Sequence, residues 1–245
     1  MSCVIRFDRV TKSFVHHAGR MLLRERLRHL FHRAPAEPFY ALSDVSFRVE
    51  AGESLGLIGG NGAGKSTILN LATGLVQPDS GTIEVRGRVA ALLELGAGFH
   101  PDLTGAENVR INAALMGLHR REAMEKFEEI VDFSGIRESI HEPLRTYSSG
   151  MVMRLAFAVA VATEPDILLV DEVLGVGDEA FYQKCLERIR EFQKAGKTVL
   201  LASHNALLIR NFCHSALWMD QGRVVASGKS AEVMDAYQES VIAAS

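Results

Sequence analysis

The sequence predicts an α/β fold: a mixed sheet covered by helices, with an antiparallel β lobe and an inserted helical sub-lobe. Three observations carry this expectation. Four short and mostly apolar runs, Ser54 to Ile58, Val89 to Leu93, Ile167 to Val170 and Thr198 to Ala202, read as strands buried on both faces. Longer helical patterns, such as Ala123 to Phe133 and Phe181 to Lys194, lie between them, and strands alternating with helices build parallel or mixed sheets. A glycine-rich turn leaves the first of these runs and passes directly into a third helical pattern that includes Ile68, Leu69 and Leu71.

Taken in chain order, the first ten residues alternate apolar and polar as a strand does. Phe39 to Val49 leads into the turn Ala51-Gly52-Glu53, and Gly81 to Val85 follows Pro78-Asp79-Ser80, so both read as antiparallel strands. The stretch from Phe99 to about Ala160 is mostly helical and forms the candidate sub-lobe. Ser215 to Asp220 and Arg223 to Ser227 flank Gln221-Gly222 as a hairpin. Residues 16–39 stand apart. Arg20, Arg24, Arg26, Arg28 and Arg33 dominate their charge, while Leu23, Leu27, Leu30 and Phe31 recur at helical spacing, the pattern of a short basic amphipathic helix.

Composition removes several classes. With 27 basic against 30 acidic residues the net charge is −3, which argues against nucleic acid as the main partner, because phosphate binding draws on a basic surplus. The longest apolar stretch, Leu155 to Ala162, is far short of the roughly 18 residues a membrane span needs. Cys3, Cys185 and Cys213 form neither a CxxC pair nor a disulfide framework, which suits a reducing compartment.

Two segments carry chemistry. Gly59-Gly60-Asn61-Gly62-Ala63-Gly64-Lys65-Ser66-Thr67 fits GxxxxGK[ST] between an apolar strand and a helix. Glycines let backbone N–H groups curl around phosphate oxygens, and the helix N-terminus turns its positive end toward the anion. Lys65 is expected to bridge the β- and γ-phosphates and the Ser66 hydroxyl to bind Mg²⁺. Farther on, Ile167-Leu168-Leu169-Val170 ends in Asp171-Glu172. Asp171 is the candidate second Mg²⁺ ligand, through water, and Glu172 the candidate base that polarises the attacking water. No NKxD motif follows, which disfavours GTP.

Tyr147-Ser148-Ser149-Gly150-Met151, followed by an apolar helix that contains Arg154, resembles the LSGGQ signature of the ABC ATPases, from which it departs in part. The resemblance implies a P-loop NTPase core of the ABC ATPase type, as a single domain over 1–245. Its helical sub-lobe would lie at about 99–160 and its basic insertion at about 16–39. By the same resemblance Ser149 and Gly150 would bind the γ-phosphate held by an opposite copy. Asp178 resembles the residue that touches the partner subunit, and His204 resembles the switch histidine beside the γ-phosphate and Glu172. The family's usual glutamine before the helical lobe is missing. Leu95 stands at its place with Glu94 beside it, so Glu94 is either the substitute oxygen ligand of the metal or an ordinary polar residue at a strand end. An aromatic ring near the end of the first strand usually stacks on adenine. Phe14 occupies that place and Tyr40 is its competitor; either ring could equally be core.

Leu92 to Val109, Tyr147 to Ala158 and Asp171 to Phe181 together resemble the nucleotide-binding subunits of bacterial polysaccharide exporters, over about residues 38–230. The expectation is an ATP- and Mg²⁺-dependent energy-coupling subunit on the cytoplasmic face of the inner membrane, peripheral to it. It would act as a homodimer with an integral membrane permease, itself a homodimer, that moves lipid-linked O-antigen, capsule or teichoic acid. Export of another lipid or drug-like cargo is the runner-up, and a soluble non-transport ABC ATPase a more distant alternative. The insertion at 16–39 is expected either to meet the membrane surface or the permease through its arginines, or to be a solvated loop. With 41 residues after His204, a fused glycan-binding domain, which takes about 100 residues, is not expected.

Overall fold

In a computed structural model the described residues are 2–14, 38–93, 96, 98–171 and 178–243. They form two sheets. The smaller has the order β2-β1-β4, from β1 (Cys3–Phe14), β2 (Phe39–Glu50) and β4 (Ser80–Val85), paired antiparallel throughout. The larger has the order β5-β6-β7-β3-β8-β9. Its members are β3 (Ser54–Ile58), β5 (Val89–Leu92), β6 (Ile167–Val170), β7 (Thr198–Ala202), β8 (Ser215–Asp220) and β9 (Arg223–Lys229). All neighbours are parallel except the β8–β9 hairpin, so the sheet is mixed.

Every residue of β3, β6 and β7 is buried, as the unbroken apolar runs imply for strands covered on both faces. One face packs on α1 (Lys65–Ala72) and the three-stranded sheet, through Leu57, Ile68, Leu69, Leu169 and Leu200 against Ile5, Phe7, Leu42 and Val45. The other face packs on α5 (Ser149–Ala162), α6 (Glu179–Lys194) and α7 (Ala206–Phe212), through Phe157, Phe181, Ile189 and Ile209. The last helix, α8 (Ser230–Ala243), closes this layer with Val233 and Met234.

The helical region lies between β5 and β6 in sequence, with its own core of Val109, Ile130, Val131, Leu155 and Val159. It is built from α2 (Gly105–Leu115), α3 (Arg120–Glu125), α4 (Phe127–Ser134) and one face of α5. Thr104 caps α2 reciprocally with Glu107: its hydroxyl accepts the Glu107 N–H at 3.2 Å, and the Glu107 carboxylate accepts the Thr104 N–H at 2.8 Å. The helix expected over Ala123 to Phe133 is two helices, interrupted at Lys126, whose ammonium is turned away to Glu164 at 2.5 Å. β9 runs to Lys229, two residues beyond the expected end. The basic stretch read as an amphipathic helix lies almost wholly outside the described residues.

Candidate functional site

The topology of the larger sheet assembles the site. β7 lies between β3 and β6, with Leu57 beside Ala202 and Val170 beside Leu201. The C-terminal ends of these three strands are therefore level. From them leave the loop 59–64, Asp171, and the Ser203-His204 turn, whose start is pinned by the Ser203 N–H donating to Leu57 O at 3.1 Å. Ligands of open α/β sheets bind at this edge.

The loop is built for close approach. Gly59 has φ 152°, and a side chain there would lie 2.2 Å from the Met219 carbonyl. Gly64 has φ 106°, and a Cβ there would lie 2.6 Å from Ala41 O. Only glycine satisfies both demands. The turn between β8 and β9 braces the loop: Gly222 N–H donates to Ala63 O at 3.1 Å, and Gly222 O accepts the Ser43 N–H at 2.8 Å.

Lys65 opens α1 and is 7 % exposed. Its ammonium donates to the carbonyls of Gly59 at 2.7 Å and Gly60 at 3.0 Å, which holds it over the loop. Burial lowers its pKa, and the Asp171 carboxylate partly restores it. Ser66 Oγ donates to Asp171 Oδ2 at 2.8 Å, so one hydroxyl and one carboxylate meet at the loop's mouth. Among the described residues no group of three or more His, Cys, Asp or Glu side chains forms a metal cage. The oxygen pair fits magnesium, which takes one or two protein ligands and completes its shell with water and phosphate oxygens.

A cavity of about 230 Å³ lies against the loop, lined by Asn61 to Thr67, Asp171, Ala41, Phe14 and Phe39. Phe14 and Phe39 face each other across β1 and β2, while Tyr40 pairs with Ser13. Side chains alternate along a strand, so Phe39 and Ala41 share the cavity face and Tyr40 presents its ring to the other. The ring that competes with Phe14 at this cavity is thus Phe39, which the sequence reading passed over. Its signal was the β1–β2 register, hidden by the intervening insertion. Replacing Phe39 by alanine is expected to weaken ATP binding on the order of tenfold, since a base stacked on an aromatic ring gains about 1–3 kcal/mol. Tyr40→Ala should leave affinity unchanged, and titration with a fluorescent ATP analogue reads both.

The end of β1 is held by Asp79. Its carboxylate accepts from Lys12 Nζ at 2.8 Å, Ser13 N–H at 2.6 Å and Ser13 Oγ at 2.7 Å, which holds its pKa at about 2 against an ordinary 3.8. A carboxylate with a depressed folded pKa stabilises the fold above its unfolded value, and that contribution disappears as pH falls through the folded one. Asp79→Asn should therefore be less stable than the parent at pH 7. Urea midpoints of the two proteins should converge between about pH 4 and pH 2.

These features recur in known proteins. Residues 42–175, more than half of the chain, match the ABC transporter family model. The chain belongs to the ABC transporter family. It is 44 % identical over 245 residues to the O-antigen export system ATP-binding protein RfbB of Klebsiella pneumoniae, covering 98 % of this chain and all of that protein. It is 40 % identical to the teichoic acids export ATP-binding protein TagH of Bacillus anthracis, over 98 % of this chain and 43 % of that longer protein. The fold matches the solved ATP-binding subunit of an ABC transporter with a TM-score of 0.76, at 23 % identity over 96 % of this chain and 93 % of that one. It also matches a dimeric ATP-binding cassette in a post-hydrolysis state with ADP and Pi, with a TM-score of 0.73 at 22 % identity over 92 % and 98 %.

As an ABC ATPase, the chain presents its signature segment on the helical side. Ser148, not Ser149, caps α5, its Oγ accepting the Met151 N–H at 3.2 Å. Ser148, Gly150, Met151, Arg154 and Asp178 line one wall of a cavity of about 710 Å³. Laid residue for residue on the family's LSGGQ, Tyr147-Ser148-Ser149-Gly150-Met151 sets Ser148 beneath the serine, the signal that points to it rather than to Ser149. Asp178 caps α6 by accepting the Phe181 N–H at 2.9 Å and pairs with Arg154. His204 is exposed at the end of β7, next to Asn205, which caps α7. Glu172 and Glu94 lie outside the described residues. No helix among the described residues is long and apolar enough to cross a membrane.

Proposed function

We propose that this single ABC ATPase domain is the energy-coupling subunit of an exporter of lipid-linked polysaccharide. The permease it drives is an integral membrane protein, and the chain works beside it from the cytoplasmic face. The observation that carries the reading is the level alignment of the Lys65 loop, Asp171 and His204 on three neighbouring strands, in a chain 44 % identical throughout to an O-antigen export ATP-binding protein.

Two copies act together, each loop holding ATP that the other's Ser148-Gly150 covers. The loop's N–H groups and Lys65 bind the phosphates, and Phe14 and Phe39, which line the cavity together, receive the base. Ser66 and Asp171 would hold Mg²⁺, which would supply positive charge beside the transferring phosphoryl group. Glu172 takes the proton of the attacking water, and His204 fixes the γ-phosphate oxygens at the end of β7.

Deleting the coding sequence tests the cargo. Lipid-linked polymer should accumulate inside the cell, and restoring the chain should clear it. Accumulation of a different lipid or a drug-like compound, with polymer export intact, overturns the assignment. ATPase activity per subunit should also rise with protein concentration, because each site needs a second copy. A specific activity flat under dilution contradicts pairing.

A further inference from the structure

Two elements assigned to the second copy sit on different helices of this chain: Ser148-Gly150, which would cover its nucleotide, at the start of α5, and Asp178, which would touch the subunit itself, at the start of α6. One side chain joins them. Arg154, about one turn into α5, pairs with one oxygen of Asp178 while the other accepts the Phe181 N–H at 2.9 Å. The same guanidinium lies over the Phe181 ring, 5.2 Å from its centroid. That ring is itself fixed, edge-on to Phe133 at 5.9 Å and to Phe157 at 6.1 Å. Arg154 is thus held by a charge on one side and by a core aromatic on the other, with 27 % of its side chain exposed at the wall of the larger cavity. A planar guanidinium can stack and pair at once, whereas a lysine ammonium serves only the charge.

We propose that Arg154 is a positioning residue that makes Ser148-Gly150 and Asp178 one rigid unit, presented together to the second copy. Through it, a displacement of α5 carries the α6 N-terminus with it. Neither element then approaches the opposite copy alone. The inference rests on the two-copy reading above. Arg154 itself touches no nucleotide.

The full chain tests it with Arg154→Ala, Arg154→Lys, Asp178→Asn, which keeps the helix cap and removes the charge, and the double Arg154→Ala/Asp178→Asn. Arg154→Ala should lower kcat about tenfold at saturating ATP, and ATP-driven pairing of Glu172→Gln chains by a similar factor. ATP affinity of the dilute, unpaired subunit should change by less than about twofold, a split that general damage to the fold does not produce. Arg154→Lys should lose only about threefold, and the double variant should be no slower than the slower single. Should Arg154→Ala fail to fold, Arg154→Lys and Asp178→Asn with their double carry the same comparison. Wild-type turnover in Arg154→Ala, an equal loss of unpaired ATP affinity, or a double equal to the product of the singles overturns the proposal. Gly150→Asp separates the two ideas. If it abolishes pairing while Arg154→Ala does nothing, the coupling alone fails; if it too leaves pairing and turnover intact, the two-copy reading fails.

Discussion

Lys65→Ala is expected to lose ATP binding and turnover together, each by about 10²–10³-fold. Lys65 is 7 % exposed and its ammonium sits between two loop carbonyls, at 2.7 and 3.0 Å, with the Asp171 carboxylate close enough to raise its pKa against the burial that lowers it. Removing it leaves Asp171 facing the triphosphate with no cation from this loop to offset the repulsion. A charge-assisted hydrogen bond contributes about 1.5–3 kcal/mol, and on the proposed function two phosphates share this one donor. Lys65→Arg should not rescue, because a guanidinium fork is wider than the ammonium this loop encloses. Equilibrium titration and steady-state hydrolysis check both variants, and an alanine variant that binds ATP within a factor of about three of the parent would mean that the loop amides carry the affinity.

Glu172→Gln is expected to behave oppositely on binding. The amide keeps the size of the side chain and loses its basicity, so ATP should bind with near-parental affinity while kcat falls by about 10²–10⁴-fold, the range for a general base. On the two-copy reading intact ATP bridges the pair, so the variant should accumulate as a dimer in ATP and return to monomer in ADP. Light scattering in the two nucleotides reads this directly. Parental turnover in the glutamine variant would move the base to another residue.

Much of this is legible in the sequence, for a definite reason. β3, β6 and β7 are covered on both faces, so their sequences are continuous apolar runs whose ends coincide with the observed strands. The phosphate loop is a local motif, and its strand and helix neighbours are adjacent in sequence. What escaped depended on long-range register. Phe39 faces Phe14 only because β1 and β2 pair across the insertion, and the alternation that turns Tyr40 away follows from that pairing. The Arg154–Asp178 contact joins residues that no periodicity relates. At the signature segment the capping geometry and the five-residue register both favour Ser148, where the sequence reading names Ser149.

The hairpin turn at Gln221-Gly222 has a practical corollary for anyone altering this protein. Both residues have positive φ, 46° and 75°, the conformation of a tight two-residue connection, and such tips are ordinarily where an epitope or fluorescent tag can be spliced in. Here a Cβ on Gly222 would meet Ala41 O at 2.7 Å, and the glycine's own amide and carbonyl are committed to Ala63 and Ser43. A label inserted there would reach the triphosphate pocket through the backbone. The tip is the wrong place to cut the chain for split-reporter work as well.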